Sequence, residues 1–223
     1  MWRVPKVMNF CRRGKMLESG ENQRKMFLFD EVNFMMNFQP QPRRLRFTVD
    51  EYYKMIELGM LKDYEKAEII EGELIQKIPI GKRHSAVAEK LNETLRDELG
   101  KSVSLRNQQP VRFGEYNEPE PDLAVLQRRE DFYSSDKPVP KDVLLLIEVS
   151  DATLKYDRDT KLALYAEAEI PEVWIVNLPN DIIEIHQKPS NGIYQLTKIF
   201  KRGEKIESEM LPNLKLEVDK ILF

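Results

Sequence analysis

Two short apolar stretches constrain this chain more than anything else in it. Pro121-Asp122-Leu123-Ala124-Val125-Leu126 and Leu144-Leu145-Leu146-Ile147-Glu148-Val149 are apolar throughout except for one acid each. Runs of that kind read as strands covered on both faces, which calls for a sheet with other elements packed on either side. A lone carboxylate is least tolerated in such a place, because nothing there replaces the water it loses. The first run begins on its acid and the second nearly ends on one; in an α/β fold a site tends to form where strand ends open outward, and the two acids are expected side by side on adjacent strands. The segment that follows, Thr153 to Ala168, has helical spacing and carries Lys161 with Leu162, Tyr165 and Ala166 beside it. A hard divalent cation held by oxygen ligands would offset the desolvation of both acids, and a neighbouring lysine could orient water or a phosphate.

These residues, together with Ser150-Asp151-Ala152-Thr153, Asp157, Leu164-Tyr165-Ala166 and Ile170-Pro171-Glu172 before Trp174-Ile175-Val176-Asn177, resemble the Uma-two family of restriction endonucleases in the PD-(D/E)XK nuclease superfamily. The likeness runs upstream through Glu68-Ile69-Ile70-Glu71-Gly72-Glu73-Leu74 and His84, and it covers roughly residues 47 to 200. It implies an α/β, restriction-endonuclease-like fold, with a mixed central β-sheet flanked by α-helices. It also implies a metal-dependent endonuclease that hydrolyses phosphodiester bonds in DNA. Under that resemblance Asp122 and Glu148 bind Mg²⁺ or Mn²⁺, Glu68 is an outer member of the metal site, and Asp122, Glu148 and Lys161 are catalytic. His84 and Gln108 have family counterparts and are accessory candidates. On the residues alone His84 reads equally well as a capping or partly buried polar group, and Gln108 and Glu118 as solvated loop residues.

The chain departs from the pattern in places. Ser150 stands where the superfamily's commonest arrangement has its lysine, two residues after the second acid, so the lysine role passes to Lys161 and requires its helix to pack over the site. Lys155 is the alternative, although its place before the periodic part of the helix favours a solvated side chain. Glu169 stands where relatives usually have glycine, and Val173 where they often have tyrosine.

A length of 223 residues suits one well-formed core with an extension. No apolar run reaches membrane-spanning length, so no membrane partner is expected. Cys11 is the single cysteine, which excludes an intramolecular disulfide and a cysteine-based metal site and fits a reducing cytoplasm. Charge is unevenly placed: residues 1–46 hold 10 Lys/Arg against 4 Asp/Glu, and residues 47–223 hold 25 against 34. An acidic domain is a poor general binder of polyanions, which counts against tight non-specific DNA binding.

Residues 1–46 are Met-rich, basic and without sustained periodicity, and read as a flexible extension. Three explanations stand for it: a start placed too far upstream, a nucleic-acid-binding arm, or a targeting segment. The first is favoured, with the cellular protein expected to begin near Met36.

Thr48 with Asp50 and Glu51 marks a helix start, and Gly59 its end. Ala67–Ile70 and Leu74–Ile78 flank Glu71-Gly72-Glu73 as a hairpin. A helix is expected over Lys82–Leu99, with Val87, Leu91, Leu95 and Leu99 buried and Gly100 as its stop. Further strands are expected over 103–106, 111–113, 173–176, 182–186, 193–200 and 214–218. The stretch from Arg128 to Lys141 reads as a surface loop over the site. His186 lies away from the motifs and reads as structural or exposed. The competing function is a catalytically silent, nuclease-like module that binds nucleic acid or a partner protein. A homodimer is what a cut through two strands would call for.

Overall fold

The computed structural model describes residues 44–62 and 67–223. The expectations for the N-terminal extension and for a start near Met36 lie outside the described residues. Helix α1, Val49–Glu57, opens on Thr48 in a full capping box: the Thr48 hydroxyl accepts from the Glu51 amide, and the Glu51 carboxylate accepts from the Thr48 amide. Strands β1 (Ala67–Ile70) and β2 (Glu73–Gln76) form an antiparallel hairpin. Its turn needs positive φ at both Glu71 (51°) and Gly72 (75°), the geometry of a two-residue primed turn. A Cβ on Gly72 would also lie 2.7 Å from that of Arg46, so this glycine is fixed by close approach as well as by conformation.

Helix α2 spans Lys82–Leu99 and packs Val87, Leu91, Leu95 and Leu99 against the main sheet. That sheet contains β3 (Val103–Asn107), β4 (Leu123–Gln127), β5 (Val143–Ser150), β6 (Glu172–Asn177), β7 (Ile182–Ser190) and β8 (Ile193–Lys201), in sequence order across it. All neighbours are antiparallel except β5 and β6. A parallel pair needs a crossover, and a helix over residues 154–167, here α3, supplies it. Strands β9 (Lys205–Glu207) and β10 (Lys215–Glu217) pair separately.

Alternation along the central strands divides the core into two layers. Leu123, Val125, Leu145, Ile147 and Val149 face the α2 layer, which the C-terminal residues Val218, Ile221 and Leu222 complete. Ala124, Leu126 and Leu146 face the other layer, with Leu164, Tyr165, Ile170 and Val173. By the same two-residue period Glu148 falls on the α3 side.

The fold is the mixed α/β sheet expected, with four local differences. Residues 111–113 are buried at Val111 and Phe113 but join no sheet ladder; their amides are satisfied by the carbonyls of Pro119, Pro138 and Asn117. Extended, apolar and alternating residues mimic a strand, and only the missing neighbour distinguishes them. Strand β9 was not expected, being three residues long with one buried side chain. No residue of the 128–141 connection lines the cleft described below; instead Tyr133 enters the second core layer and Lys137 binds Glu118 and Tyr53. Glu118 is accordingly buried at 2% exposure, not solvated.

After α3 the chain turns through Glu169 at φ 57°, a left-handed position where a side chain costs about 1 kcal/mol relative to glycine. Glu169→Gly should therefore raise stability by about 1 kcal/mol, measured by urea denaturation; no gain, or a loss, would mean that the glutamate side chain contributes a compensating contact.

Candidate active site

Asp122 immediately precedes β4, and Leu123 pairs with Ile147, so Asp122 and Glu148 occupy the adjoining positions at one end of the β4–β5 pair. The Val149 amide donates to Asp122 Oδ2 at 2.8 Å and stitches the two strand ends together. Glu148 is 3% exposed and Asp122 has a side chain 14% exposed. Both line a cleft of about 300 Å³ that also takes in Glu68, His84, Tyr156, Asp157 and Lys161.

Lys161 arrives from α3, which is not a regular helix. Leu154–Tyr156 and Leu162–Glu167 are α-helical, but Asp157–Lys161 between them forms a π-turn in which the Leu162 amide bonds to the Asp157 carbonyl. In an α-helix each four-residue step overshoots a full turn by about 40°, so Asp157, Lys161 and Tyr165 would fan across about 80°. The wider π-turn absorbs part of that overshoot and turns all three toward the sheet. Asp157 accepts hydrogen bonds from Ser150 Oγ and Thr153 Oγ1, both at 2.7 Å. Lys161 reaches Glu148 Oε1 at 3.2 Å and Glu68 Oε2 at 3.3 Å. Tyr165 donates its hydroxyl to the same Glu148 oxygen. Lys155, by contrast, has a side chain 90% exposed and pairs with Asp159.

The remaining candidates converge on these groups. Glu68, on β1, also accepts from the Glu120 amide at 3.0 Å, so it links the hairpin, the turn before Asp122 and Lys161. His84, in the first turn of α2, places Nε2 3.1 Å from Asp122 Oδ2. Gln108 donates Nε2 to Asp122 Oδ1 at 3.2 Å and its backbone amide to the Asp122 carbonyl at 3.0 Å. His186 stands apart, buried and bonded to Thr197. Ser150, Tyr156 and Tyr165 join the site without having been singled out for it. Ser150 could have been found, because it continues the alternation of β5 on the same face as Glu148; the tyrosines read as ordinary apolar positions of a helix.

Negative charge exceeds positive charge here. Glu68 and Glu148 contact the Lys161 ammonium, the charges of Asp157 and Asp122 also act on it, and His84 contacts Asp122. Burial would pull the Lys161 pKa down, but the carboxylates led by Glu148 and Glu68 outweigh it and hold the ammonium protonated well above its ordinary range. Glu148 shares that one cation with other acids. Its burial, with the charges of Asp157 and Asp122, pushes its carboxyl up to about 8 despite Lys161. Asp157 is likewise raised by burial. Asp122 goes the other way: burial opposes ionisation, but the hydrogen bonds and charge of His84, with the Val149 amide and Gln108, lower its pKa.

This surplus, borne by oxygen donors at adjoining strand ends, suits a hard divalent cation. Among the described residues no three His, Cys, Asp or Glu side chains converge closely enough to hold a metal ion by themselves. Asp122 and Glu148 would therefore share it with water and substrate oxygens, the usual arrangement for Mg²⁺.

The fold and site together define a nuclease-like α/β protein. The profile of the Uma2 (Uma-two) family, described as "Putative restriction endonuclease", matches residues 49–219. The chain belongs to that family. Among solved structures, a putative nuclease from Anabaena variabilis shares the fold with a TM-score of 0.56 at 16% identity, over 70% of this chain and 89% of that one. No curated protein matches the chain. Among the described residues no helix is long and apolar enough to cross a membrane.

The raised Glu148 pKa has a consequence for stability. The folded protein holds this proton more tightly than the unfolded chain, where glutamate titrates near 4.5, so its contribution to stability falls as pH rises from 4.5 to about 8. Glu148→Gln carries no such proton. In metal-free buffer the difference in Tm between variant and wild type should shift in the variant's favour between pH 5 and about 8. A difference that stays flat would mean that Glu148 is ionised throughout.

Proposed function

We propose that this chain is a divalent-metal-dependent endonuclease that hydrolyses phosphodiester bonds in DNA. The observation that carries the reading is the pairing of Asp122 and Glu148 at adjoining strand ends with the Lys161 ammonium buried against Glu148. Membership of a family described as restriction endonucleases supports the same reaction class. Asp122 and Glu148 would hold Mg²⁺ or Mn²⁺, whose chemistry there would be to offset charge on the scissile phosphate and to lower the pKa of a bound water.

The chain's own residues do the rest. His84, Gln108 and the Val149 amide fix both oxygens of Asp122 and so present the carboxylate in one orientation. Glu68, from β1, gives Lys161 a second carboxylate partner and helps keep its ammonium charged before substrate arrives. Lys161 donates to a phosphate oxygen as negative charge builds on it in the transition state. Such stabilisation costs little reorganisation because the donor is already in place. The water gives up one proton to solvent as its oxygen forms the new bond to phosphorus, the bond to the leaving alkoxide breaks, and that alkoxide takes up a proton from solvent.

DNA, offered both as supercoiled plasmid and as a single-stranded circle, should be cut by the purified protein in Mg²⁺ or Mn²⁺ and left intact in EDTA. Asp122→Asn and Glu148→Gln should each lower the rate by at least about a hundredfold, on the scale of removing one stabilising group from a reaction centre, and Lys155→Ala should leave it unchanged. Full activity in both acid variants would dismiss the assignment. Because Glu148 must lose a proton to bind metal, Mn²⁺ affinity measured by calorimetry should rise about tenfold per pH unit up to about pH 8 and then level. Absence of both cleavage and metal-induced stabilisation would instead assign the chain to nucleic-acid or partner binding without catalysis.

A further inference from the structure

The cleft that holds the acids is not lined by charge alone. One lip is the segment from β2 into α2, where Ile75, Ile78 and Ile80 line the cleft. Ile78 and Ile80 remain 59% and 51% exposed, beside buried carboxylates. The other lip is the turn from β5 into α3, which contributes Ala152, Thr153 and Tyr156. The two lips approach closely, since a Cβ on Gly81 would lie 4.0 Å from the Asp151 carboxylate. Tyr156 adds an aromatic side chain to the lining, and its hydroxyl is buried with no hydrogen-bond partner among the described residues. A buried hydroxyl without a protein partner is left for water or for a ligand to satisfy.

These features fit a duplex poorly. Affinity for duplex DNA comes chiefly from basic side chains that track the phosphates, whereas residues 47–223 carry 25 Lys/Arg against 34 Asp/Glu. Lys77, which lines the cleft, is already engaged with Glu120, and Arg83, one residue before His84, with Asp181. A stacked, paired base also cannot present its faces to an apolar lip. An unpaired nucleotide can, placing its base against Ile78, Ile80 and the Tyr156 ring while its phosphate meets the Lys161 end of the cleft. A volume of about 300 Å³ is at the small end of what encloses a small ligand and suits one nucleotide.

We propose that the Ile78–Ile80 lip and Tyr156 form a subsite for a single unpaired nucleotide, so that the substrate is single-stranded nucleic acid or a strand locally extruded from its duplex. This rests on the nuclease reading for the position of the phosphate. The apolar contact itself makes no use of metal or of catalysis. It adds affinity by covering base and sugar surface that water would otherwise meet.

The test uses the full-length protein with three fluorescein-labelled oligonucleotides: a single strand, its blunt duplex, and the same duplex with one central unpaired nucleotide. Anisotropy titrations in EDTA and in Mn²⁺ give affinities, and gel assays in Mn²⁺ give rates and cleavage positions. The single strand and the bulged duplex should be bound and cut on the order of tenfold better than the blunt duplex, with cleavage beside the unpaired nucleotide. The double variant Ile78→Ser/Ile80→Ser should bring the ratio of affinities close to one. Both positions are more than half exposed, so it should keep the wild-type circular dichroism spectrum and Tm. Equal handling of paired and unpaired substrates by wild type, or an undiminished preference in the double variant, would overturn the proposal. A wild type that prefers the single strand yet cuts nothing would defeat the nuclease reading and leave the subsite standing.

Discussion

The buried ammonium of Lys161 is the interaction on which the rest of the site depends. At 6% exposure it has given up most of its water, and carboxylates from two separate elements replace it: Glu148 from β5 and Glu68 from β1. The contact therefore ties the crossover helix to the central sheet and the sheet to the small hairpin. Removing Lys161 would leave both buried acids without their cation, a loss of roughly 3–5 kcal/mol in comparable cases. For that reason the triad is better understood as a device for fixing geometry than as a source of net stability, since an apolar trio of equal volume would serve stability as well.

The irregularity of α3 follows from the same demand. A helix that crosses a strand end touches it over about two turns, and here three consecutive contacts are needed: Asp157 on Ser150 and Thr153, Lys161 on Glu148 and Glu68, and Tyr165 on Glu148. Regular helical advance would turn the first away as it brought in the last. The π-turn at Asp157–Lys161 keeps all three on the sheet. It also accounts for the displacement of the lysine. Ser150 occupies the strand position two beyond Glu148, too short to reach the acids as a cation would, and instead hydrogen-bonds the aspartate that seats the turn carrying Lys161.

The large elements were legible because each depends on local spacing. The four-residue repeat of Val87, Leu91, Leu95 and Leu99, the Thr48–Glu51 capping box and the Glu71-Gly72 turn all specify their own geometry. The two acids were visible as charges in otherwise apolar strands. What escaped was non-local. Nothing in the order of residues 157–161 says that a helix there takes a wider turn, because the cause lies across space in Ser150 and Glu148. The burial of Glu118 depends on Lys137 and Tyr53, 19 and 65 residues away in sequence. Val111 and Phe113 have the alternation of a strand, and only the lack of an adjacent edge keeps them out of the sheet.

Net charge then bears differently on approach and on capture. Long-range steering depends on the sum of charge over the surface and is weakened by salt within about 10 Å at 0.1 M, so an excess of acids slows the encounter with any polyanion. Capture depends on what lies within contact distance, and there Lys161 is held charged by the same acids that contribute to the unfavourable sum. A cation at Asp122 and Glu148 would reverse the local sign without altering the rest of the surface. A cleft built this way gains little from the repeated phosphates of a duplex and more from the few atoms that enter it. Selection would then fall to the apolar groups in its lining, which here include isoleucines and a tyrosine.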